Sequence, residues 1–245
     1  MASENESVTF RGFRYEWLGQ STMRITAPSG LVIYTDPVML DAGPPVADLI
    51  LVTHHHVDHC LPEFITPIRG DATRVAAFHA SYIQYCVHDI KGVRTVKIGQ
   101  RVDLGGVTVT GVEAYTKRGF HSRGEGCGFI IGVEGQRIYF AGDTARIPEM
   151  EEAAGVDVAI LPICDNTYTI DPADMAQAVK EIGPGLFIPV HFTPVHEPDP
   201  ETKEGMLFSK DPRFFTRKED PRGLVPLLEG TGIEVALLKK LGKGL

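Results

Sequence analysis

An unbroken apolar run, Leu49-Ile-Leu-Val-Thr53, leads directly into His54-His55-His56-Val57-Asp58-His59-Cys60. The run shows no alternating polar face, so it reads as a strand buried on both sides, within a layered fold. The pattern His-x-His-x-Asp-His therefore sits at the end of a buried strand. The chain has nine histidines in 245 residues. Composition alone would give this pattern in roughly one such chain in a thousand. Imidazole and carboxylate suit zinc, manganese or iron(II). In an extended turn His54 and His56 project the same way, because side chains alternate with period two, and they can share one metal. Asp58 and His59, where the chain turns into the next segment, can reach a second metal. His55 points the opposite way. A histidine-rich turn with no metal is disfavoured, since neighbouring imidazolium charges repel each other.

The rest of the chain supplies the frame. Val8–Phe10, Arg14–Leu18, Met23–Thr26 and Leu31–Thr35 are short apolar or β-branched runs broken by glycine and proline. Arg94–Ile98, Arg101–Leu104 and Val107–Ala114 read as strands. Gly128–Val133 and Arg137–Ala141 read as a hairpin around Glu134-Gly135. Val156–Leu161, Leu186–Val190 and Ile233–Leu238 complete the strands. Pro62–Gly70 and Ala80–Ile90 read as helices. Asp171-Pro-Ala-Asp174 is a helix start, with Asp as cap and Pro at the first helical position. The helix it opens places Met175, Ala178, Val179 and Ile182 on one face and stops at Gly183-Pro184.

Two stretches resemble each other. Leu31–Asp36 is followed by Ala47–Val52, and Arg137–Asp143 by Val156–Leu161. Each is an apolar strand ending in Asp, a gap of about a dozen residues, then Ala-Asp or Val-Asp and a buried strand. Two related halves follow, each a sheet with helices on one side, packed sheet to sheet.

Composition narrows the function. With 43% hydrophobic and 23% charged residues, disorder, collagen and coiled coil are excluded as the main class. A net charge of −8 argues against a general binder of nucleic acid or anionic membrane. There is no apolar run long enough for a membrane helix, and Met1–Ser7 lacks the features of a signal peptide. These point to the cytoplasm. Cys60, Cys86, Cys127 and Cys164 form no CxxC pair and read as packed thiols. Residues 193–223 mix prolines, charges and phenylalanines without periodicity, and read as a surface loop, a lid or a dimer arm.

With these motifs in view, the chain resembles the metallo-β-lactamase superfamily. Trp17-Leu-Gly19, Asp36-Pro37, the histidine motif, Ala141-Gly-Asp-Thr144 and Ile188-Pro-Val-His191 occur in the family's order. Within it the chain is similar to small hydrolases akin to ascorbate-6-phosphate lactonase. The resemblance implies a four-layer αββα sandwich with the metal site at one edge. It implies a single domain over residues 8–245 behind a flexible 1–7, and two divalent metal ions, zinc foremost, with manganese or iron as alternatives. By the same resemblance Asp143 bridges the metals, His191 joins Asp58 and His59 on the second, and Asp36 orients the histidine loop. The chain departs from the family pattern after Tyr115, where Thr116 stands in place of the usual His. His121, five residues on, is assigned that role beside His54 and His56.

A dinuclear site implies hydrolysis of an ester, lactone or phosphoester by a bridging hydroxide, with Asp58 accepting and returning a proton. The expected partner is a small-molecule substrate, with a homo-oligomer left open. Gln20, Tyr168 and Thr169 are candidates to line the pocket. Lys117, Arg118 and Arg123 are candidates for an anionic substrate group. His79, His88 and His196 read as structural or surface residues. Two rival readings stand: an iron-dependent redox enzyme acting on a thiol or persulfide, and a non-catalytic metal-binding member. His56, where the oxygen-reducing branch resembles His-x-Glu-x-Asp, argues against the first.

Overall fold

In the computed structural model, which describes residues 6–78, 92–117, 120–164, 169–192 and 220–242, fourteen strands form two seven-stranded sheets. The first sheet holds β1 (Val8–Phe10), β2 (Phe13–Gly19), β3 (Thr22–Thr26), β4 (Val32–Thr35), β5 (Ala47–Val52), β6 (Arg69–Phe78) and β7 (Arg94–Val96), in that spatial order. The second holds β8 (Arg101–Asp103), β9 (Val107–Ala114), β10 (Gly126–Val133), β11 (Gln136–Phe140), β12 (Val158–Pro162), β13 (Leu186–Val190) and β14 (Glu234–Val235), also in sequence order across the sheet.

The two sheets have the same pairing pattern. In each, the first four strands form an antiparallel meander and the last three run parallel. β4 and β5 pair through Ile33 and Leu49, and β11 and β12 through Ile138 and Val158. The repeat read from the sequence is thus a repeat of topology, and the two-half sandwich is the architecture found.

Burial alternates as a sandwich demands. Val158 and Ile160 of β12, and Leu186 and Ile188 of β13, pack into the core shared with the first sheet. Their neighbours Ala159, Leu161 and Phe187 pack outward under helices. Both faces are covered, which is why these strands read as continuous apolar runs. The outer layer is α2 (Pro172–Ile182), a 3-10 segment at Pro148–Ala153 and the short α3 (Leu224–Leu227). Over the first sheet the described helical layer is α1 (Pro62–Ile65), whose Phe64 and Ile65 are buried. No described helix is long and apolar enough to cross a membrane.

Helix α2 starts and stops where the sequence signals it. The Asp171 carboxylate accepts from the Asp174 N–H at 2.8 Å. Gly183 takes the left-handed conformation, φ 63°, and donates to the Val179 carbonyl. A cap of this kind contributes about 1 kcal/mol. At the β10–β11 hairpin Glu134 and Gly135 both have positive φ, 46° and 80°. That is the turn whose twist matches the strands it joins.

One helix is corrected. Pro62–Gly70 is helical only to Ile68, as α1 and then a 3-10 turn over Thr66–Ile68. Pro67 has no N–H to give, and its ring crowds the carbonyl four residues back. The chain then leaves as β6, in which Gly70 is a strand residue. β14 is shorter than the strand expected over Ile233–Leu238. The helix expected at Ala80–Ile90, Cys86, and residues 193–219 of the proline-rich stretch lie outside the described residues.

Candidate metal centre

The histidine motif leaves the end of β5 at Thr53, whose carbonyl accepts from the Cys127 N–H of β10. The chain then turns sharply. The N–H groups of His59 and Cys60 both donate to the His56 carbonyl, at 2.9 Å. The turn faces His54, Asp58 and His59 inward and leaves Val57 40% exposed at the surface. Opposite it, Gly142 brings β11 against the loop. A Cβ at this glycine would lie 3.1 Å from the Thr53 side chain, and its φ of +62° disfavours any other residue. Asp143 follows immediately.

Beside the buried trio Asp36, His54 and His59, which shares a member with each, two groups of donors result. Ligand-capable atoms of His54, His56 and His121 lie within 4.8 Å of one another, as do those of Asp58, His59 and His191. Asp143 stands between the groups. Its Oδ1 is 3.3 Å from His59 Nε2, and its Oδ2 is 3.3 Å from His121 Nε2 and 3.2 Å from His191 Nε2. Nε2 of His54, His59, His121 and His191 and Oδ1 of Asp143 are buried without a hydrogen bond among the described residues. Unpaired buried polar atoms are costly, and these five, nitrogen and carboxylate donors, fit the binding of divalent metal.

A network behind the cluster fixes which nitrogens face it. Asp36 is fully buried at the end of β4 with φ 40°, a strained value for a non-glycine. Its Oδ2 accepts from His59 Nδ1 at 2.8 Å and from the Thr53 hydroxyl at 2.7 Å, and its Oδ1 accepts from the Thr53 N–H. The Thr53 hydroxyl has spent its proton on Asp36, so at 3.0 Å from His54 Nδ1 it accepts. Both histidines therefore carry a proton on Nδ1 and turn Nε2 toward the cluster. Such partners set ring orientation and raise ligand basicity. His121 is held by a closed loop: Thr116 N–H donates to the His121 carbonyl, and the His121 N–H donates to the Thr116 hydroxyl, each at 2.9 Å.

The electrostatics of the two groups differ. Burial pushes His54 well below the usual imidazole range, helped by His59. Burial and then His121 hold His56 down to about 4. Burial opposes charge on His59 and His191 too, but Asp143 and Asp58 outweigh it. His59 is raised well above its ordinary value and His191 to about 9. Asp58 and Asp143 are raised by burial but drawn below the carboxylate range overall, Asp58 chiefly by His59 and Asp143 chiefly by His191 and His59. Burial raises Asp36, partly offset by His59 and Thr53.

The remaining candidates fall into place or outside it. Gln20 is buried and donates from Nε2 to Asp58 Oδ2 at 3.0 Å, so its amide is turned to a carboxylate of the cluster rather than to an open pocket. Lys117 pairs with Asp174 at 3.0 Å, and Arg123 with Glu113 at 3.1 Å and with Glu149, so each has an acidic partner of its own. Thr169 is fully buried. Arg118, Tyr168, His79, His88 and His196 lie outside the described residues. Cys60 and Cys127 are buried, and burial raises the Cys127 thiol. Thr53 and Thr116 are the supporting residues that the sequence reading did not single out as such. The position of Thr53, directly between a buried strand and the first histidine, was the available signal.

The profile of a family described as a beta-lactamase superfamily domain matches residues 14–191. The chain is 34% identical over 201 residues to a UPF0173 metal-dependent hydrolase of Rubrobacter xylanophilus, covering 74% of this chain and 82% of that one. Among solved structures it is similar to a proposed metal-dependent hydrolase of Parabacteroides distasonis, with TM-score 0.73, 26% identity, and coverage of 97% and 100%. The fold also matches CmlA, a diiron β-hydroxylase of Streptomyces venezuelae, with TM-score 0.68 and 15% identity, over the whole of this chain and 54% of that one.

Proposed function

The chain belongs to the metallo-β-lactamase superfamily, and from that premise we propose that it is a dinuclear metal-dependent hydrolase of small carboxylic esters or lactones. The observation that supports this most is Asp143 standing between two donor groups whose buried Nε2 atoms have no hydrogen-bond partner among the described residues. His54, His56 and His121 would hold one cation, Asp58, His59 and His191 the other, and Asp143 would touch both. When bound, such a pair supplies a water of near-neutral pKa and a Lewis acid for the substrate oxygen.

The chain's own residues do the rest. Asp36 and Thr53 keep His54 and His59 in the tautomer that presents Nε2. Asp58 remains ionised, with one oxygen held by Gln20, and can take up and return a proton at its other oxygen. Val57 and Phe120, 40% and 44% exposed, flank the cluster, and the Phe120 ring lies 5.7 Å from His56. An apolar margin with ion-paired Lys117 and Arg123 favours a neutral ester or lactone over a phosphorylated substrate. The relatives named metal-dependent hydrolases agree with hydrolysis as the reaction class.

The test is metal per chain on protein purified without added metal or chelator, followed by ester, lactone and phosphodiester panels. Two equivalents of zinc or manganese with ester or lactone turnover is the expected result. Predominant iron with thiol-dependent oxygen uptake would replace this reading by the redox one. A single equivalent that reconstitution does not raise would remove the dinuclear mechanism.

A further inference from the structure

Gln20 makes three hydrogen bonds, two of which reach one half of the cluster. It stands just past β2 with φ 49°, a strained conformation for a residue with a Cβ. Its side-chain amide donates to Asp58 Oδ2 at 3.0 Å. A carboxylate only accepts when ionised, so the amide must present Nε2 and not Oε1. Its main-chain carbonyl accepts from the His191 N–H at 2.9 Å and from the Trp17 indole N–H at 2.8 Å. His191 also has positive φ, 64°. Through this one residue the end of the first sheet's β2 grips the residue that follows β13 in the second sheet.

Asp58 and His191 are two of the three residues in the second donor group. The third, His59, is held separately by Asp36. The first group, His54, His56 and His121, has no hydrogen bond to Gln20 among those described. From this geometry we infer that Gln20 is a positioning residue for the second metal subsite alone, setting the Asp58 carboxylate and the His191 backbone relative to each other. The inference rests on the dinuclear reading above. With its φ of 49° Gln20 turns its carbonyl to His191 and its amide to Asp58 at once. Partners of this kind are worth about 10–100-fold in metal affinity.

The test is stepwise titration of the metal-free protein with zinc, and separately with cobalt(II), whose visible spectrum reports each site. Wild-type protein and Gln20→Met, which keeps the length and removes the donor, are compared. With the second step taken as the one whose cobalt spectrum reports Asp58, His59 and His191, the expected result is the other step unchanged, that step weakened about 10–100-fold, and kcat lowered with little change in KM. Gln20→Glu keeps the shape and sets an acceptor against Asp58 should the methionine variant fail to fold. It is expected to weaken the second step in the same selective way. Both steps unchanged in a folded variant, both weakened equally, or a tighter second step in Gln20→Glu would each overturn the role. Failure of the wild type to take a second equivalent would instead overturn the dinuclear reading itself.

Discussion

The two ends of the cluster use the same imidazoles at similar depth, yet they hold protons oppositely. At one end His54 and His56 face other histidines, and burial leaves them neutral, His56 down to about 4. At the other, His59 lies among Asp36, Asp58 and Asp143, and His191 beside Asp58 and Asp143. There the carboxylates outweigh burial, and His191 rises to about 9. Burial alone disfavours the imidazolium, so the local count of carboxylates decides the charge. Ligation needs a deprotonated imidazole, a state that burial favours at His54 and His56 and that the carboxylates oppose at His59 and His191.

The largest expected effect comes from Asp143, the residue both ends share. Asp143→Asn should remove the charge facing His59, His121 and His191. Activity should fall by more than the 10–100-fold cost of losing a supporting partner. Metal analysis should show both ends depleted. Retention of two tightly bound equivalents would mean that the ends are independent.

A more selective change is Thr53→Val, which takes the acceptor from His54 Nδ1 while His59 keeps its bond to Asp36. First-step metal affinity should drop about tenfold with the second step spared. Set beside the Gln20 variants, it would separate the ends from opposite sides. Equal weakening of both steps by Thr53→Val would collapse the distinction.

The metal-free protein should also show the contrast in its pH dependence. His191 is raised from about 6.5 unfolded to about 9 folded, so its contribution is complete below pH ~6.5 and is lost as pH rises to about 9. His56 has the opposite sign. Lowered to about 4, it costs stability as pH falls from ~6.5 to 4. The alkaline limb is the sharper readout, because Asp36, raised by burial, opposes the acid limb. Saturating metal should abolish the alkaline limb, since ligated imidazoles are already deprotonated. Thermal melts from pH 6 to 9 with and without zinc would decide it, and a metal-free protein that gains stability over that range would contradict the assignment.

The smallest effect is expected at Arg123. Its partners Glu113 and Glu149 are acids of the second half, and its guanidinium lies 5.1 Å from the Tyr115 ring. Arg123→Ala should change stability by no more than about 1 kcal/mol, as exposed pairs do, and leave ester turnover unaltered. A selective rise in KM for anionic substrates would restore the basic loop to substrate binding.

How much of this was legible beforehand depends on the range over which each feature is decided. Helix α2 was readable end to end, because Asp171, Pro172 and Gly183 act within a turn of their own positions. The strands buried on both faces were readable because continuous apolar runs have few other homes. Strand β6 was not. Its first residues, Arg69-Gly-Asp-Ala-Thr-Arg74, are polar and mostly exposed, and they span a register shift, Arg69 pairing with Ala47 and Arg74 with Leu49, before regular parallel pairing with β5 begins. The role of Gln20 was invisible for the same reason, since Asp58 lies 38 positions away in sequence.

The sequence by itself determined the His54-x-His56-x-Asp58-His59 motif, the doubling of the strand pattern and the caps that start and stop α2. All of these depend on residue type and local spacing. Only the tertiary structure decided that His121 reaches the cluster through a loop clasped by Thr116, that Asp143 faces both groups, and that Lys117 and Arg123 are paired with acids. It also decided that burial lowers His54 and His56 while nearby carboxylates raise His59 and His191. Those outcomes follow from distances between side chains on different strands, and charge in a buried site is set by such distances rather than by neighbours in the chain.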